Sequence, residues 1–446
     1  MTVFDELAET NGDNEWKDWL SKILDLKIEI ATFVASRCRR GQVTEIVGYL
    51  KGSFNLGLHV RFDAGPDAVI RFPKPGHTAF RDEKVANEVR FMQYLSETTP
   101  IPVPQVINWG RTEESPYQLG PFIIMDYIRG TRLSTVLKQP TQSKDEDVIL
   151  SPNVDNAMLD KVYDQIASFL LQLYQSNFNL IGAITRDPVL KTWSVTSRPL
   201  TYNMNELATV AFYPTDKFPT EPFASARAYF QDLADEHTTH LWTQRNLATD
   251  PEDAWKRYVA RHRFEQLIPK YCTDDAGPYT LFCDDLQPSN MLIDEETLEI
   301  TAVLDSESTN VTPAQFAYDP PWWLLLLGPD MWLERYTMAE FLARYEPRME
   351  QFLQALERVE GGPRFGGEQP LALMRESWAT GRFWFNYAAR TSFDIDAVYW
   401  AALSERDPAG TELLHDKEAR ELMRPFTEMK MEQLTAYKKE CTAYFS

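Results

Sequence analysis

Residues 282–305 read FCDDLQPSNMLIDEETLEITAVLD. Within this stretch Asp285 is followed five residues on by Asn290, and Asn290 fifteen residues on by Asp305. Asp305 ends an apolar run, Ala302-Val303-Leu304, that reads as a strand. The pattern joins a carboxylate able to orient a hydroxyl and take its proton to an amide oxygen and a second carboxylate that suit magnesium. Phosphoryl transfer asks for those groups, because its catalysis is mostly positioning and charge stabilisation. Taken singly, Asp285 ahead of Pro-Ser-Asn is ordinary turn chemistry, and so is Asn290 before a strand. The spacing of the three is what predicts a site.

The chain has 446 residues, too many for one average domain, so two lobes with separate cores are expected. Its 45 basic and 66 acidic residues leave a net charge of -21. That balance argues against nucleic acid and anionic membrane as partners, since both require clustered Lys and Arg. It suits cationic partners such as amines, although plain solubility is the simpler explanation. Cys38, Cys272, Cys283 and Cys441 are scattered, with no pair spaced for zinc or a disulfide framework. The first residues, MTVFDELAETNGDNEWKDW, are acidic where a signal peptide is basic, and the longest apolar run, Trp322 to Leu327, is too short to span a bilayer. A soluble cytoplasmic protein is expected.

Periodicity divides the chain. Trp16, Trp19, Leu20 and Ile23 recur at helical spacing behind the polar lead Asn11 to Asn14, which predicts an N-terminal helical extension over 1–40. A small lobe is expected over 41–128. Its first part, 43–73, has β-branched and aromatic runs broken by Gly52, Gly57 and Ala64-Gly65-Pro66-Asp67, consistent with three antiparallel strands. A helix from about Asp82 to Leu95 follows, then a strand at 122–128. From Asp155 the pattern turns helical, predicting a larger helical lobe over 129–446. Residues 184–260 read as an insertion with a helix or two of its own, and the Gly-rich 360–370 as a surface loop.

A set of motifs runs along the chain in a recognisable order: VIRFPKPG at 69–76, DEKVANEV at 82–89, IPVPQVINWG at 101–110, FCDDLQPSNMLID at 282–294, AVLDSEST at 302–309, PPWWLLL at 320–326 and FWFNYAARTSFDIDAVYW at 383–400. Together they resemble the aminoglycoside phosphotransferase and choline kinase superfamily, and more closely its fungal "phosphotransferase enzyme family" branch. The resemblance implies an α+β, protein kinase-like two-lobed fold, with a small antiparallel sheet in one lobe and mostly helices in the other. It also implies ATP and Mg2+ as cofactors, a small-molecule hydroxyl as acceptor, and Asp285 as the catalytic base with Asn290 and Asp305 on the metal.

In that superfamily a third-strand Lys contacts phosphates and pairs with a Glu of the next helix. Here the strand offers Arg71, whose planar fork can do both, and Glu88 is the expected partner. Lys74 is an alternative cation. Gly52 and Ser53 are expected to offer backbone N–H groups to phosphates, and Met125 and Tyr127 to lie on the hinge that meets adenine. The superfamily's His-Gly-Asp is replaced by Cys283-Asp284-Asp285; Cys283 can pack as a small hydrophobe, and Asp284 is expected to point away. Glu307 is expected to stand behind the metal ligands. His237 and His240 lack the order of a zinc motif and read as a solvated helix face. Trp322, Trp323 and Trp332 read as packing aromatics, whereas Asn386, Tyr387, Arg390, Asp394 and Asp396 would border the acceptor. Two other functions fit less well: a nucleotide-binding pseudokinase regulating a partner, and a protein kinase, which lacks its Asp-Phe-Gly and Ala-Pro-Glu landmarks here.

Overall fold

The computed structural model describes residues 3–141, 146–361 and 370–446. Most of the expected loop at 360–370 therefore lies outside the described residues. The small lobe is a five-stranded antiparallel sheet in the order β1-β2-β3-β5-β4, with β1 Val43–Lys51, β2 Asn55–Phe62, β3 Ala68–Pro73, β4 Val106–Gly110 and β5 Phe122–Asp126. Alternation along these strands sorts their side chains onto two faces. Leu56, Leu58, Val60, Ile70, Phe72, Phe122 and Ile124 pack with Trp19, Ile23, Ile30 and Val34 of the helices α1 Glu6–Asp25 and α2 Lys27–Cys38. Val69, Ile123 and Met125 pack on the other side with Val85, Val89 and Met92 of helix α3 Arg81–Thr98. Arg71 has the parity of Val69 and so faces α3.

The N-terminal helices are thus a wall of the small lobe's core. Helix α1 also starts earlier than expected, with the polar lead inside it. Asp5 caps its first turn, accepting from the Leu7 and Ala8 N–H groups at 3.0 and 3.2 Å. Gly12 lies so close to the turn at Gly76 that a Cβ there would meet the Gly76 carbonyl oxygen at 2.6 Å. The same helix touches the large lobe, where the Tyr437 hydroxyl oxygen accepts from the Glu6 backbone N–H at 2.8 Å.

The large lobe starts with the short strand β6 Thr131–Arg132 and the helices α4 Leu133–Leu137 and α5 Asn156–Tyr174. The hairpin β7 Ala183–Arg186 and β8 Trp193–Ser197 leads to α6 Tyr202–Val210, α7 Ala226–Thr243 and α8 Pro251–Tyr271. Phe230 of α7 and Phe264 of α8 are fully buried in the large lobe's main core, beside Phe316 and Phe385. Two strand pairs then build the end of the lobe facing the sheet: β9 Tyr279–Phe282 with β12 Asn310–Pro313, and β10 Met291–Ile293 with β11 Ile300–Val303. Among the described residues, no helix is long and apolar enough to cross a membrane.

Candidate active site

The strand pairings carry two connections to one place. Phe282 pairs with Asn310 and Met291 with Val303, so the loop 283–290 and the turn 304–309 leave the same end of the lobe. The Leu304 N–H donates to the Asn290 carbonyl at 2.7 Å, which brings Asn290 beside the residue preceding Asp305. Asn290 Nδ2 in turn donates to Asp285 Oδ2 at 2.6 Å and to the Asp285 carbonyl at 3.1 Å. Gln287 donates to the other carboxylate oxygen of Asp285. With its nitrogen so engaged, Asn290 has its Oδ1 left as a ligand atom. Burial pushes Asp285 up to about 6, against the pull of Gln287 and Asn290.

The two residues that replace His-Gly have separate tasks. Cys283 is buried, and burial pushes its thiol up to about 12, so it is an inert packing group. Asp284 forms an ion pair with Arg390, whose guanidinium lies 5.2, 5.9 and 5.3 Å from the rings of Phe282, Phe316 and Tyr387. Even so paired, Asp284 adds a small upward push to Asp285 next door.

From the small lobe, Arg71 reaches both sides of the cleft. It pairs with Glu88 of α3 and comes within 3.4 Å of Asp305 Oδ1. Burial opposes its charge, but Glu88 and then Asp305 raise its pKa above the ordinary value. One turn ahead of Glu88, Lys84 pairs with Glu307, and Asn55 of β2 donates to the same carboxylate at 2.8 Å. Glu307 is held below its ordinary value despite burial, chiefly by Lys84. Burial and Glu307 push Asp305 upward. Asp305 sits at φ 55, the left-handed region that a non-glycine residue adopts rarely. Carboxylate oxygens of Glu88, Asp305 and Glu307 lie within 4.8 Å of one another. An all-oxygen donor set of this kind fits a hard divalent cation such as Mg2+.

Three expectations change. The Gly52 N–H donates to the Asn55 carbonyl at 3.0 Å to close the β1–β2 turn, so it is already used, whereas Ser53 is exposed at the tip. The Tyr127 N–H likewise donates to the Asp67 carbonyl at 3.1 Å, and its ring stacks on His59. Met125 keeps its place in the apolar cluster, paired with Val69 across the sheet. Lys74 is on the opposite face of the sheet, donating to the Gly52 carbonyl at 2.5 Å and lying 4.7 Å over the Trp16 ring, so it cannot stand in for Arg71.

His237 and His240 are also not on a solvated face: both are completely buried. His237 meets Ser392 Oγ at 2.7 Å, and Arg261 donates to the Ser392 carbonyl at 3.0 Å and to Asp396. Burial and Arg261 lower His237 to about 3, which keeps it neutral. Of the C-terminal motif, Asn386 and Asp396 are tied into this interior, Asn386 to Asp319 and Asp396 to Arg257 and Arg261. Beyond Asp285 lies an acidic side. Burial and then Glu206, with smaller pushes from Asp285 and Asp394, raise the Tyr202 hydroxyl, while burial and Asp394 push Glu206 up to about 8. Asp330, Asp394 and Asp396 line a cavity of about 400 Å3 together with Phe393, Lys256 and Arg257, and Lys256 lies 5.5 Å over the ring of Trp400.

Sequence reasoning missed Lys84, Asn55, Tyr202 and Glu206. Lys84 alone carried a signal, since a helix places residues four apart on one face and Glu88 was already assigned to it.

Among curated proteins, the chain is 24% identical over 289 residues to clavilactone A biosynthesis cluster protein Y of Ampulloclitocybe clavipes, covering 60% of this chain and 62% of that one. It is 25% identical over 170 residues to altered inheritance of mitochondria protein 9 of Debaryomyces hansenii, covering 37% and 25%. The chain therefore spans less than two thirds of either relative. Among solved structures, an aminoglycoside phosphotransferase mutant in ternary complex with AMP-PNP and hygromycin B matches with a TM-score of 0.44 at 15% identity, covering 83% of this chain and 99% of that one. The sequence pattern described as "Phosphotransferase enzyme family" matches residues 46–352, a span that holds β2 to β5, α3 and the whole of 282–309. The chain belongs to that family.

Proposed function

We propose that the protein transfers the γ-phosphate of ATP to a hydroxyl of a small molecule, with Asp285 as the general base. The reading is carried by one arrangement: Asp285 is bonded to Asn290, and Asn290 to the residue preceding Asp305, while Arg71 and Glu88 reach Asp305 from the other lobe. Asp285 is held by two amide donors, so its carboxylate is aimed before the acceptor arrives and little reorganisation is left for the reaction. It takes the hydroxyl proton as the new bond to phosphorus forms. Asn290 Oδ1 and Asp305 offer the oxygens for Mg2+, which when bound with ATP supplies charge neutralisation at the phosphates. Arg71 supports Asp305 and presents a permanent cation to the same space.

The acceptor approaches from the side of Tyr202, Glu206, Asp394 and Asp330. Five acidic residues line the neighbouring cavity against two basic ones, Lys256 and Arg257, and that surplus of carboxylates favours a hydroxylated amine, whose carbon skeleton Phe393 would cover.

Asp285→Asn tests the reading. The replacement keeps the shape and leaves Asn290 and Asp305 in place, so folding and binding of AMP-PNP with Mg2+ should be nearly unchanged. Turnover should fall by about 10²–10⁴-fold, because an amide cannot take the proton. ATP hydrolysis stimulated by a pool of hydroxylated amines serves as the assay. Wild-type protein that binds AMP-PNP and Mg2+ but turns over no faster than Asp285→Asn would leave a nucleotide-binding regulator as the function.

A further inference from the structure

Lys84 lies on the buried face of α3, one turn ahead of Glu88, and is 7% exposed. A lysine this buried is rare unless it is paired. Its ammonium contacts Glu307 and donates to Asn55 Oδ1 at 3.1 Å, and Asn55 Nδ2 donates to the same Glu307 oxygen at 2.8 Å. The three groups close a triangle between lobes: Asn55 and Lys84 belong to the small lobe, Glu307 to the turn that follows β11 in the large one.

The placement of Glu307 gives the triangle its consequence. Asp305 is two residues earlier in the same turn, in a left-handed conformation that is uncommon for a non-glycine residue. The turn is closed internally by Thr309, whose hydroxyl donates to the Ser306 carbonyl at 2.8 Å. Arg71 touches this turn at Asp305 and Lys84 touches it at Glu307. One contact would let the turn swivel; two contacts from different small-lobe elements set its orientation. The contacts also balance charge, since Glu88, Asp305 and Glu307 crowd three carboxylates together and Arg71 and Lys84 are the cations among them.

We propose that Lys84 is a positioning residue: through Glu307 it holds the turn 305–309 against the small lobe, so that Asp305 faces the cleft before any cation binds. The proposal rests on the reading of Asp305 as a metal ligand. A direct role for Lys84 on the nucleotide is the competing view. It fits less well, because two of the three ammonium donors already serve Glu307 and Asn55.

The test compares Lys84→Met, Glu307→Gln and the double variant with wild type. Calorimetry measures Mg2+ binding at saturating AMP-PNP, and hydrogen exchange follows amides 304–309 in protein free of metal and nucleotide. Lys84→Met should weaken Mg2+ by about 10–100-fold, the usual effect of removing a group that orients a metal ligand, and should remove protection from 304–309. The two single losses should not add in the double variant, since both residues act through one contact. Protection at 304–309 equal to wild type, or losses that add, would overturn the proposal; additive losses would mean that Lys84 meets the nucleotide directly. If Lys84→Met fails to fold, the double variant carries the exchange test, because it removes both buried charges together. Wild-type protein that takes neither Mg2+ nor AMP-PNP would remove the proposed function, and the exchange result would still decide whether Lys84 holds the turn.

Discussion

Arg71 is where charges from the two lobes meet, and the planar fork of its guanidinium suits that meeting. A guanidinium presents separate N–H edges, so Nη2 can engage Glu88 while Nη1 points to Asp305. Arg71→Ala should therefore weaken AMP-PNP·Mg2+ binding by roughly 1.5–3 kcal/mol, the range for a charge-assisted hydrogen bond, as measured by calorimetry. Lys74 offers no rescue because it faces the other side of the sheet, against Trp16. An unchanged nucleotide affinity in Arg71→Ala would remove Arg71 from the binding site.

At the scale of elements, two helices carry residues that only their packing explains. In α1, Gly12→Ala would gain up to about 1 kcal/mol of helix propensity. The new Cβ, however, would stand 2.6 Å from the Gly76 carbonyl oxygen, and overpacking of this kind costs typically about 1–3 kcal/mol. The clash should win because the obstacle is backbone. A lower melting temperature for Gly12→Ala is expected, and an equal or higher one would show that the helix slides freely. In α7, burial and Asp232 push Glu236 up to about 8 from an ordinary 4.5, and Asn203 donates to it at 2.6 Å. The folded state thus keeps a proton that the unfolded chain gives up at lower pH. Its contribution to stability is fully present below about pH 4.5 and is lost as pH rises through about 8. Glu236→Gln keeps an acceptor for Asn203 without titrating, so melting temperatures followed from about pH 4.5 to about pH 8, the window of that loss, should decline less steeply than in wild type.

For the whole molecule, the net charge of -21 sets the response to salt. Self-repulsion of a strongly charged chain opposes compactness and is screened within about 10 Å at 0.1 M salt. Exposed ion pairs such as Arg375 with Glu350 and Arg358 with Asp164 are weakened by the same screening, but each is worth only about 0–1 kcal/mol. Repulsion should dominate, and raising NaCl from about 20 to about 300 mM should raise the melting temperature. A fall would mean that the ion pairs contribute more than the repulsion removes. The helix α1 adds a geometric constraint at this scale, since it packs Trp19 under the sheet and meets Tyr437 at the far end of the chain.

What the sequence determined by itself was everything that local pattern and order control. The alternation through 43–73 made β1, β2 and β3, the helical repeat after Asp155 made α5, and the order of motifs from VIRFPKPG to AVLDSEST marked the family and the two-lobed α+β fold. The spacing of Asp285, Asn290 and Asp305 predicted that these residues gather at one end of the lobe for the same reason, since the loop and turn that carry them are set by short strand pairings. Contacts between distant segments were decided only by the tertiary structure. Asn11 to Asn14 read as a helix lead until Gly12 was packed on Gly76, and His237 and His240 read as solvated until Ser392 and Arg261 enclosed them. The Gly52 and Tyr127 N–H groups looked available until the turn and Asp67 took them. Lys84 meets Glu307 across more than two hundred residues, and no periodicity in a single segment records such a pairing. Burial and charge balance, which make that contact, exist only once the lobes face each other.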